Sequence, residues 1–193
     1  MPDALDVLLG VSVERGVECA MRDGVVLRAD VYRPLAGGSH PVLLLRLPYD
    51  KTAANSNFGY AHPSWYARQG YVVVVQDTRG RYTSDGVFTP FEHEARDGYD
   101  TIEWAARLPG SNGRVGMYGF SYPGAVQLLA AAQQPPSLVT ICPGFTGSQF
   151  YEGWTYRQGA FALAFAAPCD VGASTTTTGA SPCRRSTSAA GTT

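Results

Sequence analysis

At 193 residues, 45% hydrophobic and 16% charged, the chain is long enough to bury the core of one domain and too short for two. A net charge of −1 argues against nucleic acid or an anionic membrane as a partner. All but one of the 15 basic residues are arginine, Lys51 being the single lysine, and this preference reads as codon bias.

The opening MPDALDVLLG is acidic where a signal peptide is positive, and Gly10 breaks its apolar stretch at residues 7–9. No run approaches the roughly 18 apolar residues of a membrane span, so the expected location is the cytoplasm. Residues 25–32 (VVLRADVY) alternate as a half-buried strand does, and they follow Asp23-Gly24, a hairpin-turn pair. The opening region is therefore predicted to be antiparallel β. Residues 34–41 read as loop. Residues 42–45 and 71–75 are short, continuously apolar runs, as strands covered on both faces of a parallel sheet are. Between them, 63–69 is predicted helical, with Gly70 as its stop.

Residues 94–107 read as a helix halted by Pro109-Gly110. Residues 115–120 form a third apolar run, 122–133 a second long helix with Pro123 in its first turn, and 138–141 a fourth buried strand. Strand and helix in alternation predict a mostly parallel α/β sheet with flanking helices. Residues 159–167 are patterned as a helix. From Pro168 on, the chain holds a run of four threonines and no Leu, Ile, Phe, Tyr or Trp. This composition predicts a disordered tail at 168–193 behind one domain at 1–167, and an interruption of the native reading frame near Pro168. Cys19, Cys142, Cys169 and Cys183 lack CxxC spacing and read as buried free thiols, ahead of a metal site or disulfides.

The chemistry concentrates in Gly116-Met117-Tyr118-Gly119-Phe120-Ser121-Tyr122-Pro123-Gly124. A serine between a strand and a helix, with glycine two residues before it, fits a nucleophile elbow, which lifts the hydroxyl above the sheet's carboxyl edge. The G-x-S-x-G pattern is missed by one place, because Pro123 stands where the second glycine belongs. The alternative is a helix N-cap serine. Tyr49, in Arg46-Leu47-Pro48-Tyr49-Asp50-Lys51, reads by itself as a turn tyrosine. Asp77, Arg79 and Arg81 read as residues that order a loop, and Asp97 and Asp100 as helix-start carboxylates. Tyr151, Trp154 and Tyr156 suit either an acyl pocket or a core.

Taken together, these segments resemble the cocaine esterase / X-Pro dipeptidyl-peptidase (CocE/NonD-type) family of serine α/β-hydrolases. The resemblance runs in order through Arg22-Asp23-Gly24-Val25, Ala29-Asp30-Val31-Tyr32-Arg33-Pro34, Pro48-Tyr49-Asp50-Lys51, Gln76-Asp77-Thr78-Arg79-Gly80, Asp97-Gly98-Tyr99-Asp100-Thr101 with Trp104, and Asn112-Gly113-Arg114-Val115-Gly116-Met117. It ends in Gly119-x-Ser121-Tyr122-x-Gly124, the family's own elbow. It implies an incomplete α/β-hydrolase fold and an acyl-enzyme on Ser121. The oxyanion donors it implies are the Tyr122 backbone N–H and the Tyr49 hydroxyl. The substrate would be a small-molecule ester or peptide, with no metal or organic cofactor.

The family's triad runs Ser, acid, His. After Ser121 the chain offers only Glu152 and Asp170, and His40, His62 and His93 all precede it. Two readings follow: a serine hydrolase truncated before its triad partners, or an inactive remnant or binding module. The sheet is expected to end on an open edge, which invites pairing with a second copy or a complementing chain.

Overall fold

The computed structural model describes residues 10–53, 59–149, 156–158 and 160–161. Up to Ser148 these form one unit. Its sheet comprises β1 (Val11–Ala20), β2 (Val26–Pro34), β3 (His40–Leu47), β4 (Val72–Asp77), β5 (Ser111–Phe120) and β6 (Leu138–Gly144), in the spatial order β1-β2-β4-β3-β5-β6. The first two pairings are antiparallel and the last three parallel. The helices are α1 (Pro63–Arg68), α2 (Glu94–Ala106) and α3 (Tyr122–Ala131). Strands and helices of this unit stand where the sequence predicts them, in the mixed sheet of an α/β-hydrolase-like fold. One prediction is corrected: residues 138–141, expected as a buried strand, belong to the edge strand β6, where Leu138 and Ile141 are half-buried and Val139 and Thr140 exposed. No helix among the described residues is long and apolar enough to cross a membrane.

The unbroken Val72–Val75 run of β4 exists because both faces of the sheet are covered. Val72 and Val74 pack with Ile102 and Ala105 of α2 and Val126 and Ala130 of α3. Val73 and Val75 point the other way, into a cluster with Val11, Tyr32, Leu45, Leu47 and Ala67 of α1. Each such valine contributes on the order of 1.5–3 kcal/mol of burial. β1 has no clean alternation because it carries a bulge: its pairing with β2 shifts between Glu14 and Val17. Gly16 turns there at φ 65, and its N–H donates to the buried Asp30 carboxylate at 3.0 Å.

The expectation of buried thiols holds for Cys19, whose thiol is pushed up to about 12 by burial. It fails for Cys142, which is exposed. Cys142 lies on β6, one of the two edge strands among the described residues, where Val139 is also half exposed. Cys169 and Cys183 fall outside the described residues.

Beyond Ser148 a second unit is described only as the antiparallel pair β7 (Tyr156–Arg157) and β8 (Ala160–Phe161). The helix predicted at 159–167 is thus corrected at its start, where Ala160–Phe161 is a strand. Gln158 adopts φ 51, which reverses the chain where the composition suggested a first helical turn. The rest of that segment and the predicted tail lie outside the described residues, as do Tyr151 and Trp154.

Asp97 and Asp100 do more than favour a helix dipole. Asp97 is buried and takes a bidentate bond from Arg79, at 2.9 and 2.7 Å. Arg79 also reaches Asp23, at 2.8 Å. Asp100 accepts the Arg22 backbone N–H at 2.9 Å and its guanidinium at 2.7 Å. The β1–β2 turn is thereby tied to α2. Partial burial would raise the Asp100 carboxyl, but the Arg22 bonds outweigh it and hold the group below its ordinary range. Its contribution is complete above the unfolded value of about 3.9 and is lost as pH falls through the lower folded value. In urea denaturation from about pH 6 to about pH 2, the wild type is expected to lose about 0.5–1 kcal/mol more than Asp100→Asn. Equal losses would show that the pair contributes nothing.

Candidate active site

β5 ends at Phe120 and α3 begins at Tyr122, so Ser121 alone makes the turn. It does so at φ 62 and ψ −121, a conformation that costs a non-glycine residue about 1–3 kcal/mol unless its surroundings enforce it. They do. The Ser121 N–H donates to Gly144 O at 2.9 Å, and its carbonyl accepts the N–H groups of Gly124 and Ala125 at 2.9 and 3.0 Å. Two glycines make room. A Cβ on Gly119 would lie 2.4 Å from Pro123 Cβ, and one on Gly124 would lie 2.9 Å from Gly144 O. The spacing Gly119-x-Ser121-Tyr122-x-Gly124 is therefore a packing requirement. Ser121 occupies the N-cap position of α3, yet its side chain makes no capping hydrogen bond. The alternative reading of a capping serine thus does not account for the hydroxyl.

Tyr122 sends its side chain into the core. Its hydroxyl donates to Glu94 Oε1 at 3.0 Å and accepts the Phe91 N–H at 3.1 Å, and its ring stacks on Phe91 at 4.4 Å. Burial first, and then the Glu94 carboxylate, push the phenol above its ordinary range, so it stays a donor. Glu94 lies 2.9 Å from Nη1 of Arg46, a fully buried residue of β3. Arg46 Nε donates to Gln76 Oε1 at 2.8 Å, which also accepts the Thr101 hydroxyl at 3.0 Å. This chain of bonds fixes the start of α3 against α2, β3 and β4. Arg46, Gln76 and Glu94 were not legible as a group, since 48 residues separate Arg46 from Glu94 and no spacing links them.

Tyr49 arrives from β3. Because β3 and β5 pair in parallel, with Leu44 opposite Met117, Tyr49 and Ser121 both leave the sheet at its carboxyl edge. The half-buried Tyr49 ring meets the Tyr122 ring edge-on, with centroids 6.5 Å apart. The structure therefore brings Tyr49 and Tyr122 together. Lys51 also belongs to this edge. It is 4% exposed, and its ammonium donates to Asp77 at 3.0 Å and to Thr83 at 2.6 Å. Its signal was present in the sequence: a single lysine, placed directly after Pro48-Tyr49-Asp50.

Each of the three histidines stands at the start of an element. His40 opens β3 opposite Ser111, at the amino edge of the sheet, and its Nδ1 lies 3.1 Å from Gly70 O. His62 caps α1 by accepting the Ser64 N–H at 3.2 Å. His93 occupies the N-cap position of α2, between the two residues that hold the Tyr122 hydroxyl. Glu152 and Asp170 fall outside the described residues.

Comparison with known proteins agrees with this architecture. Residues 23–191 match the X-Pro dipeptidyl-peptidase (S15) family. The cocaine esterase of Rhodococcus sp. (strain MB1 Bresler) is 41% identical over 152 residues, which cover 77% of this chain and 26% of that protein. A CocE/NonD family hydrolase from Staphylococcus aureus superposes with a TM-score of 0.69 at 29% identity, over 76% of this chain and 30% of that one. An aminopeptidase from a marine sediment archaeon, Thaumarchaeota archaeon, does so with a TM-score of 0.66 at 27% identity, over 83% and 29%. The chain spans about a quarter of the length of the curated relatives it matches. It belongs to the X-Pro dipeptidyl-peptidase (S15) family.

The elbow's packing predicts unequal costs for two glycine substitutions. Gly119→Ala is expected to destabilise the chain by about 2–3 kcal/mol in urea denaturation, since the new methyl overlaps Pro123. Gly113→Ala, which meets nothing within 4 Å, carries only the backbone term of about 1 kcal/mol. Equal costs would contradict the packing argument.

Proposed function

We propose that this chain supplies the nucleophile and the oxyanion hole of a serine hydrolase acting on a small-molecule ester or peptide carbonyl. Ser121 Oγ attacks the carbonyl carbon and its proton passes to a base. The carbonyl oxygen gains the negative charge, stabilised by the Tyr122 backbone N–H and the Tyr49 hydroxyl. Collapse of this intermediate expels the alcohol or amine and leaves an acyl-enzyme, which water then hydrolyses. The observation that carries this reading is the backbone of Ser121, held at φ 62 and ψ −121 with its hydroxyl outside any capping bond. The 41% identity to a protein named as an esterase supports the ester half of the substrate class.

No histidine follows Ser121 in this sequence, so this reading takes its base from a complementing polypeptide. The side of β6 that no other described strand pairs, with Val139 half exposed, would suit a complementing strand or a second copy. A second reading has its own support. His40 and His62 are engaged in bonds away from Ser121, as expected of a binding module that keeps the elbow without a triad.

Labelling the purified chain with a fluorophosphonate probe separates the two. The hydrolase reading expects adduct formation that disappears in Ser121→Ala and slows about 100-fold in Tyr49→Phe. A folded chain that does not label, alone or with the complementing polypeptide, would leave the binding-module reading.

A further inference from the structure

Asp77 ends β4, opposite Leu47 of β3, and is fully buried. We propose that Asp77 is a positioning residue whose carboxylate holds the Tyr49 loop and thereby aims the Tyr49 hydroxyl. The inference rests on the oxyanion role proposed for Tyr49 and adds the element that fixes it.

Four donors converge on the Asp77 carboxylate. Two come from Lys51, the backbone N–H at 2.8 Å and the ammonium at 3.0 Å. Two come from Thr83, the hydroxyl at 2.8 Å and the N–H at 3.3 Å. On the other side of Tyr49, the Pro48 carbonyl accepts Arg81 Nε at 2.9 Å. The residues on both sides of Tyr49 are thus tied to one segment, 77–83. Between the two ties, Asp50 adopts φ 76, a left-handed conformation that a non-glycine residue keeps only where surrounding bonds impose it. Asp50 reinforces its own turn by accepting the N–H and hydroxyl of Thr52 at 2.9 and 2.7 Å.

The Lys51 ammonium faces Asp77, with Asp30 at 4.0 Å and the Thr83 hydroxyl at 2.6 Å. The second carboxylate, Asp30, meets Arg15 at 3.3 Å, which balances the charges. A carboxylate carrying four donors has its acceptor sites filled, so it holds a loop in place. The precision matters, because a displacement of about 1 Å at a reacting centre can cost roughly 100-fold in rate.

The test uses the full chain with fluorotyrosine incorporated and the Tyr49 line assigned through Tyr49→Phe. In Asp77→Asn, the Lys51 amide is expected to exchange hydrogen at least about tenfold faster, while the Val73 and Val75 amides keep their rates. The fluorine resonance of Tyr49 should shift and broaden while those of Tyr32 and Tyr118 stay in place. An unchanged Lys51 amide and Tyr49 line would overturn the proposal. So would equal loosening throughout β4, which a merely structural role predicts. If Asp77→Asn does not fold, Thr83→Val decides in its place, with the same local changes expected at smaller amplitude and their absence overturning the proposal. These readouts do not require Ser121 to react, so a failure to label counts against the proposed function and not against the clamp. In a chain that labels, Asp77→Asn should slow the reaction in the wild-type background and add nothing in Tyr49→Phe.

Discussion

A serine carrying a Cβ is held where glycine would be more comfortable, and much of the described fold is arranged to keep it there. The backbone of Ser121 is pinned from β6 through Gly144 O and from α3 through Gly124 and Ala125. The parallel pairing of β5 with β6 sets the first contact, and the glycines at 119 and 124 permit the second. Without those pairings the turn would relax and the hydroxyl would fall back to the helix-capping position that serine favours at such a junction.

Around this turn lie two buried polar clusters of similar construction. One joins Arg46, Gln76, Thr101 and Glu94 and reaches Tyr122. The other joins Asp30, Asp77, Lys51 and Thr83 and reaches the segment after Tyr49. Charges are costly to bury, and each cluster places opposite charges and hydrogen bonds together, so that removing one member would strand another. Hydrophobic packing alone would leave the two tyrosines free to adjust. The ionic contacts give directions, which apolar contacts cannot.

The sheet was legible because its physics is local. Continuous valine runs mark strands covered on both faces, and Asp23-Gly24 marks the hairpin. The elbow was legible because strand, glycine, serine and helix are adjacent in sequence. Tyr49 was different. Its own neighbours suggest a turn, and only the family resemblance singled it out. β1 was obscured by the bulge at Gly16, whose stabilising carboxylate lies 14 residues away. The helix expected at 159–167 failed at its start because a left-handed Gln158 is not announced by composition. Arg46 and Glu94 went unread because their partners are brought near only by the fold.

The most direct test of this account is a crystal structure of the chain carrying a phosphonyl group on Ser121. The account predicts the phosphonyl oxygen about 2.7–3.1 Å from both the Tyr122 backbone nitrogen and the Tyr49 hydroxyl, with Ser121 retaining its positive φ. An oxygen turned to solvent, or an adduct on another residue, would contradict it.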